Sequence, residues 1–180
     1  MIHLLILIAL GLATYLFHNY QEFDDSHMRP WIVEQVNFNR EADPQALCDL
    51  LALDAVVNIT DEYTRYKYKI VNGSKSEACD YFIKSANNFE KPQREKNGYI
   101  WDRLTDYFVN YENLFQDYAD VTFSTDVKPS SSFSGLTTKQ GDILIGKTTT
   151  RITVKSPIFR DTKITYYEFK RKLTQLPTSN

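Results

Sequence analysis

The chain carries few side chains suited to catalysis, and its histidines lie outside the segment that we predict to fold. His3, His18 and His27 are its three histidines, and all of them precede that segment. Histidine is the commonest general base and transition-metal ligand in proteins. A Ser-His-Asp site, a Cys-His site and a zinc site are therefore disfavoured. Acid–base chemistry in the domain would have to use carboxylates and tyrosines.

Sequence motifs for cofactors and nucleic acid are missing as well. The sequence contains no P-loop, no glycine-rich dinucleotide turn and no ligand spacing typical of zinc, so we expect no cofactor and no metal. The formal net charge is -2, whereas nucleic-acid-binding proteins usually concentrate positive charge on one face. The one basic cluster, Lys170-Arg171-Lys172, lies in a strand-like segment and is better explained as a solvated strand face.

The two cysteines are expected to form a structural disulfide. Cys48 and Cys79 are the only thiols, and both fall on predicted helices. In the oxidising compartment behind an export signal, two cysteines most often pair. The bridge would close a loop of about 30 residues and contribute about 3 kcal/mol. The alternative is a pair of buried free thiols, and a nucleophilic cysteine is disfavoured because no histidine is available to activate it.

The compartment is indicated by an apolar amino-terminal segment. Residues 2–17 contain no Asp, Glu, Lys or Arg, and acidic residues follow at Glu22, Asp24 and Asp25. A membrane-spanning helix needs about 20 apolar residues and a signal-peptide core about 7–15, so this length fits both. Gly11-Leu12-Ala13 supplies small residues for a signal peptidase, but no Lys or Arg precedes the apolar run. The pattern slightly favours an uncleaved anchor, and a buried core helix is disfavoured because a polar stripe is missing.

These features predict the organisation of the chain. We expect an anchor or signal peptide at 1–20, a linker at 21–42, a single domain at 43–177 and a tail at 178–180. Residues 2–20 would contact a membrane if they are retained. The charge bias places the domain outside the cytoplasm, either tethered or, after cleavage, secreted or periplasmic.

Capping signals predict two helices that would position functional groups. Asp43-Pro44 combines an N-cap carboxylate with proline at the first helical position. It predicts a helix ending near Leu53, with an apolar face formed by Ala46, Leu47, Leu50, Leu51 and Leu53. Ser74-x-x-Glu77 is a capping box that opens a second helix, which Pro92 ends. Residues 31–39 fit either a short helix or an extended segment.

Alternating apolar and polar residues predict strands over 55–60, 66–71, 121–127, 150–154 and 167–173, the first two forming a hairpin. Ile143 and Ile145 have the opposite parity to residues 150–154, which predicts a bulge near Gly146. Residues 99–115 fit both a helix and a strand. The order of helix, hairpin, helix and long strands predicts an α+β domain, with helices on one face of a curved antiparallel sheet.

Four segments carry a resemblance to a known fold: Ala46-Leu-Cys-Asp-Leu-Leu51, Asp54-Ala-Val-Val57, Ser76-Glu-Ala-Cys79 and Tyr111–Ser124, the last read as strand, turn at Gln116-Asp117 and strand. Their order resembles the nuclear-transport-factor-two-like (cystatin-like) superfold, and in particular exported members with a cysteine in each of the first two helices. The resemblance covers roughly residues 43–176 and rests on order and pattern rather than on a specific motif. It implies helices that close one side of a strongly bent sheet, a conical pocket, and a strand at 105–114.

The resemblance also implies where chemistry would occur. Isomerases and dehydratases of the superfold work in the pocket, some with Asp bases and Tyr donors. The residues of this chain that would line such a pocket are Asp54, Tyr66, Trp101, Asp106 and Tyr107. However, alternating tyrosines more often mark a core or a sheet face, and Asp54 also fits a turn. We therefore assign no catalytic residue.

The sequence favours a non-enzymatic domain over an enzyme. We expect a periplasmic or envelope domain for binding or assembly whose ligand is unknown. It is similar in architecture to the anchored assembly component of bacterial type IV secretion and conjugation machines. The sheet face is the expected surface for a protein partner or a homodimer. The alternatives are a small pocket enzyme of the isomerase or dehydratase type, using carboxylate and tyrosine groups, and a secreted effector or inhibitor-like protein.

Overall fold

A computed structural model describes residues 2–63, 66–89, 94–95, 98–99, 104–110, 117–127, 136–156 and 161–176. The helices in these ranges are α1 (Ile2–Phe23), α2 (Asp25–Trp31), a π-helix (Ile32–Phe38), α3 (Asn39–Ala42), α4 (Pro44–Leu50) and α5 (Lys75–Asn88). The strands are β1 (Leu51–Tyr63), β2 (Tyr66–Gly73), β3 (Arg94–Glu95), β4 (Gly98–Tyr99), β5 (Leu104–Asn110), β6 (Tyr118–Val127), β7 (Leu136–Thr137), β8 (Ile143–Lys155) and β9 (Lys163–Gln175).

The long strands form one mixed sheet in the order β2-β1-β9-β8-β6-β5, and β7 pairs with β8. Every neighbouring pair is antiparallel except β1 and β9, which are parallel, with Val57 opposite Tyr167 and Tyr63 opposite Leu173. The expectation of an entirely antiparallel sheet is thus corrected. Alternation records which face a side chain occupies and not the direction of the neighbouring strand, so the sequence could not reveal the parallel pair.

The core lies between one face of the sheet and the helices. The strands contribute fully buried side chains at alternate positions: Val57, Ile59, Val121, Phe123, Ile152, Val154, Tyr167 and Phe169. Helix α5 adds Ala78, Tyr81 and Phe82. Burying each large apolar side chain contributes about 1.5–3 kcal/mol, so this layer supplies most of the favourable free energy of folding. The predicted α+β class is confirmed.

Both predicted helix starts are confirmed by their capping geometry. The Asp43 carboxylate accepts a hydrogen bond from the Ala46 backbone N–H at 3.2 Å. The backbone N–H of Ser74 donates to the Glu77 carboxylate at 2.8 Å, and the Ser74 hydroxyl accepts from the Glu77 backbone N–H at 3.4 Å. The backbone N–H of Ser74, together with its hydroxyl, donates to the Glu77 carboxylate and holds the pKa of Glu77 below its usual value. Each helix start therefore has partners for its otherwise unsatisfied N–H groups.

The first of these helices is shorter than predicted. Helix α4 ends at Leu50, and the backbone turns extended at Leu51, which is buried at the start of β1. Leu53 is 92% exposed, so it does not belong to an apolar helix face. The register between β1 and β9 shifts between Leu51 and Val56, and Leu53 and Asp54 within this interval are exposed. A run of leucines fits a helix and a strand equally well, and the strand pairing decides between them.

The segment expected to link the amino terminus to the domain is helical and packs into the core. Helix α2 begins at Asp24, whose carboxylate accepts from the Ser26 backbone N–H at 3.1 Å. Met28, Ile32 and Val36 are buried, at four-residue spacing, in the main apolar cluster. The packed domain therefore begins before residue 43.

Strands β5 and β8 test two further predictions, the structure of residues 99–115 and the bulge near Gly146. Within residues 99–115, β5 pairs with β6, with Val109 opposite Val121, so a strand is confirmed at 104–110, and residues 111–115 lie outside the described ranges. The predicted bulge near Gly146 is wrong, because the pairing of β8 with β9 is continuous there. Gly146 has φ +155°, and a Cβ at this position would strike the Lys172 carbonyl oxygen. Close approach of two strands therefore explains this glycine.

Helix α1 differs from the others in its surroundings. Its side chains from His3 to Thr14 are all exposed. No helix in the described part of the chain is both long and apolar enough to cross a membrane.

Cys48 and Cys79 are brought together by α4 and α5. Their Cα atoms lie 5.4 Å apart and their sulfurs are at disulfide distance. Cys48 is buried, so the pair joins the two helices at the core rather than at the surface.

We expect this pair to be oxidised and to stabilise the domain. The double variant Cys48→Ala/Cys79→Ala should lower the free energy of unfolding by about 3 kcal/mol, because the unfolded chain loses its cross-link. Urea unfolding under oxidising conditions measures the change, and reduced wild-type protein serves as the control. Alkylation of two thiols in the unreduced protein, detected by intact mass, would contradict the expectation.

Candidate functional site

A buried ion pair lies inside the domain near one end of the sheet. Asp61 on β1 and Arg171 on β9 are direct partners in the strand register. Arg171 Nε donates to Asp61 Oδ1 and Nη2 donates to Oδ2, each at 2.7 Å. Both side chains are almost completely buried. The middle residue of the basic cluster in β9 thus points inward, while its two lysine neighbours are exposed.

Helix α5 and several aromatic rings complete the surroundings of this pair. The Tyr81 hydroxyl donates to Asp61 Oδ2 at 2.8 Å, and the Ser85 hydroxyl accepts from Arg171 Nη2 at 2.8 Å. The guanidinium carbon lies 4.7 Å from the ring centroid of Phe89, and the rings of Phe169 and Tyr63 are at 5.5 and 5.9 Å. Cation–π contacts of this kind are strongest where water is excluded.

This arrangement limits what Asp61 can do chemically. Asp61 is a fully buried carboxylate, and its two oxygens together accept three hydrogen bonds. A general base needs an oxygen within reach of a substrate proton. The Asp61 carboxylate instead neutralises a buried cation, which is a structural role.

The residues predicted to line a pocket are not brought together. Asp54 is exposed on β1, and Trp101 lies outside the described ranges. Tyr66 lies on β2, whereas Asp106 and Tyr107 lie on β5. These strands are the two opposite edges of the sheet path, with four strands between them.

The two candidates on β5 have other partners. The exposed carboxylate of Asp106 accepts a hydrogen bond from Lys147 Nζ at 2.8 Å. Tyr107 packs against the core, and the Arg29 guanidinium carbon lies 5.4 Å from its ring centroid. Neither residue faces a described cavity.

An open cleft occupies the end of the sheet where β1 passes into β2. It has a volume of about 480 Å³ and is lined by Glu62, Tyr63, Tyr66, Lys67, Lys172, Leu173, Thr174 and Gln175. Of the predicted residues only Tyr66 belongs to it. Alternation in the sequence predicts which face of β2 or β9 each of these side chains occupies. The parallel pairing of β1 with β9, which brings the strands together, has no signal in the sequence.

Two tyrosines form one wall of the cleft. The rings of Tyr63 and Tyr66 stack with centroids 4.6 Å apart. Asn88 Nδ2 donates to the Tyr63 hydroxyl at 3.0 Å. Burial, with a smaller contribution from the Asp61 charge, raises the pKa of Tyr63 to about 12 and also raises the pKa of Tyr66. Both phenols therefore stay protonated at neutral pH and can act as hydrogen-bond donors.

No protein-family model matches the sequence, and no curated protein resembles it at a significant level. Among solved structures, a proposed aromatic ring hydroxylase from Novosphingobium aromaticivorans superposes with a TM-score of 0.53 and 16% identity, over 82% of this chain and 92% of its own. A ketosteroid isomerase-like protein from Erwinia carotovora atroseptica has a TM-score of 0.47 and 12% identity, covering 83% and 93%. A de novo designed NTF2 fold protein has a TM-score of 0.37 and 14% identity, covering 83% and 87%.

Similarity at such low identity concerns the fold and not the activity. The sheet order, the helices on one face and the superposition together give this chain the nuclear-transport-factor-two-like fold. The resemblance drawn from the sequence is confirmed at that level.

The substitution Arg171→Met should destabilise the domain by about 3–5 kcal/mol, because it leaves the Asp61 carboxylate buried without its cation. The matched control is Lys170→Met, the exposed neighbour on the same strand, which should change stability by less than about 0.5 kcal/mol. Urea unfolding of the full chain measures both. Equal midpoints for the two variants would show that the pair does not have the structural role assigned to it.

The stability should also depend on Tyr63 at high pH. The folded-state pKa of about 12 lies above the ordinary value of 10.0. The Tyr63 contribution is therefore complete below pH 10.0 and is lost as the pH rises from there towards 12, because the unfolded state ionises first. Wild type should exceed Tyr63→Phe in stability at pH 8 by about 1 kcal/mol, from the Asn88 hydrogen bond, and by less at about pH 11. Urea unfolding across this range measures the gap, and a constant gap would rule out the effect.

Proposed function

We propose that this chain is a non-enzymatic binding domain that helix α1 attaches to a membrane, with the domain outside the cytoplasm. The observation that carries the proposal is the surface of α1. Eight large apolar side chains of this helix are 47% to 66% exposed: Leu4, Leu5, Ile6, Leu7, Ile8, Leu10, Leu12 and Phe17. A helix of a soluble domain normally buries its apolar face against the core, and these side chains have no such cover.

Transfer of α1 into lipid would be strongly favourable. Each large apolar side chain gains about 1.5–3 kcal/mol on leaving water, so the eight together supply more than about 10 kcal/mol. An exposed apolar surface of this extent typically marks an interaction site. The absence of Asp, Glu, Lys and Arg from residues 2–17 suits a lipid environment better than a protein interface with a polar rim.

Two features support a location outside the cytoplasm. Glu22, Asp24 and Asp25 follow the apolar segment, and basic residues are preferred on the cytoplasmic side of membrane segments. Cys48 and Cys79 lie at disulfide distance, and disulfides persist in oxidising compartments.

The interior favours binding over catalysis. Described core side chains pack between the sheet and the helices, and the Asp61 carboxylate is used by Arg171 and Tyr81. A small pocket enzyme of the isomerase or dehydratase type would need a carboxylate with a free oxygen facing a cavity. The described cavity with polar groups is the open cleft at the strand ends, which suits a bound ligand.

The full chain should float with phosphatidylcholine vesicles in a density gradient. The variant Leu7→Glu/Leu10→Glu should lose this property, because each change removes about 2 kcal/mol of apolar transfer and inserts a charge. The partition coefficient of the variant between vesicles and water should be at least about a hundredfold lower than that of the wild type. Both side chains are exposed, so the circular dichroism of the variant should match the wild type.

The matched control is Val56→Glu/Val71→Glu, which places the same two charges at exposed apolar residues of β1 and β2, 43% and 62% exposed. This variant should float like the wild type. The membrane proposal fails if wild-type protein stays with the soluble fraction, or if the α1 variant floats as well as the control.

A further inference from the structure

Helix α1 leads into the packed domain without a flexible linker. Within the described residues 2–63, α1 continues to Phe23 and α2 begins at Asp25, so Asp24 alone lies between the two helices. Residues 18–28 contain neither glycine nor proline, whereas flexible linkers are rich in glycine and serine. Helices therefore occupy the segment that the sequence predicted to be a linker.

Hydrogen bonds fix the backbone at the junction of α1 and α2. The Asp24 carboxylate accepts from the Ser26 backbone N–H at 3.1 Å. The Asp24 carbonyl oxygen accepts from the backbone N–H groups of His27 and Met28, at 3.0 and 2.8 Å. These bonds tie the φ and ψ angles of Asp24 to the first turn of α2. The direction of α1 relative to α2 is therefore set by the cap.

The last residue of α1 also belongs to the core of the domain. Phe23 is 4% exposed and packs in the same apolar cluster as Met28 and Ile32. Burial of a phenylalanine side chain contributes about 1.5–3 kcal/mol, and this contribution would be lost if α1 pivoted away from α2. The cap and the buried ring together make α1 and the domain one rigid body.

The distance from the apolar part of α1 to the domain is short. Among the described side chains of α1, Phe17 is the exposed apolar one nearest to the domain, and the helix is continuous from there to Phe23. At 1.5 Å per residue, the two lie about 9 Å apart along the helix axis. The headgroup layer on each side of a bilayer is about 5–8 Å thick. With Phe17 at the edge of the hydrocarbon, the domain begins where the headgroups end.

We propose that the domain rests on the phospholipid headgroups in one fixed orientation, with the exposed side of α2 against the bilayer surface. Ser26, His27 and Arg29 are exposed on α2, and Ser26 lies within about 11 Å of Phe23 because three residues span no more. These polar side chains suit the headgroup layer rather than the hydrocarbon. The proposal rests on the membrane attachment of α1 and adds a second contact, between the domain and the headgroups.

A flexible tether would have a different physical signature. If residues 21–42 were a random coil, their ends would lie about 25 Å apart on average, and the domain would not be held at the bilayer surface. It would also tumble independently of the vesicle, on the nanosecond timescale. A rigid connection instead keeps the domain at one depth and makes it rotate with the vesicle.

The test uses the full chain on phosphatidylcholine vesicles, with a fluorescent label on one added cysteine. Ser26→Cys reports depth through quenching by a nitroxide on the lipid headgroup. Lys84→Cys, on α5, reports rotation of the domain through time-resolved anisotropy. Both side chains are exposed, and the native cysteines are at disulfide distance, so protein without an added cysteine should take up no label. We expect strong quenching at position 26 and an anisotropy at position 84 that persists beyond the nanosecond timescale.

The matched variant carries Gly-Gly-Ser, repeated three times, between Glu22 and Phe23. The insertion keeps every residue of α1 and of the domain and adds a flexible reach of about 15–18 Å. Quenching of the label at Ser26→Cys should fall at least about twofold, and the anisotropy at Lys84→Cys should decay faster. Flotation with the vesicles should stay the same, because the apolar residues of α1 are unchanged.

Equal quenching and equal anisotropy decay with and without the insertion would overturn this proposal and leave the membrane attachment intact. If the protein without the insertion fails to float, the attachment is wrong, and the proposed orientation is wrong with it. Flotation of each labelled sample therefore separates the two proposals.

Discussion

The hydrogen-bonded pair of Asp61 and Arg171 lies where the two apolar clusters of the domain meet. Phe169 belongs to the main cluster and Phe89 to the smaller one, and both rings contact the same guanidinium group. Burying two charges costs several kcal/mol per ion, and good geometry with further hydrogen bonds is needed to offset that cost. The pair also fixes the register of β1 against β9. A shift by one residue would turn Arg171 outward and place a lysine opposite Asp61, and a lysine lacks the two-pronged donor geometry of the guanidinium.

Helix α5 supplies hydrogen bonds that offset part of the free-energy cost of burying Asp61 and Arg171. Tyr81 and Ser85, four residues apart on one stripe of α5, supply a donor and an acceptor to the pair, and Phe89, the residue that caps the end of the helix, supplies an aromatic ring. Because Arg171 and Tyr81 occupy the Asp61 carboxylate, that carboxylate is not available to a ligand. The capping box at Ser74 sets where α5 begins and hence which residues face Arg171.

Local signals in the sequence were sufficient for the starts of α4 and α5 and for most of the strands, but not for the helices between Asp25 and Ala42. The capping residues Asp43 and Ser74 and the alternation in β2, β6 and β9 predicted elements that the structure contains. Properties that depend on distant contacts were not accessible. The end of α4, the parallel pairing of β1 with β9 and the role of Gly146 are all decided by strands far away in the sequence. The inward position of Arg171 follows from the alternation itself, but three adjacent basic residues obscure it.

The candidate site was harder to predict than the fold for the same reason. Asp54, Tyr66, Asp106 and Tyr107 were grouped by residue type, and the sheet order separates them. Tyr63, Lys172 and Gln175 become neighbours of Tyr66 only through the parallel pair, which has no local signature. Met28, Ile32 and Val36 are the opposite case, because their helical spacing is visible in the sequence. The long apolar segment before them favours a membrane assignment, and the residues that follow it then resemble a linker.

The parallel pairing of β1 with β9 has a consequence for how the domain is made. Asp61 and Arg171 are 110 residues apart, and β9 is both the last long strand in the described chain and a central strand of the sheet. During synthesis the hairpin of β1 and β2 is complete before β9 is made, so one edge of β1 has no partner until then. Contacts of such long range slow folding and leave a strand edge open to other chains. The edge of β1 is therefore covered, and protected from pairing with other chains, only after β9 has been synthesised and has paired with it.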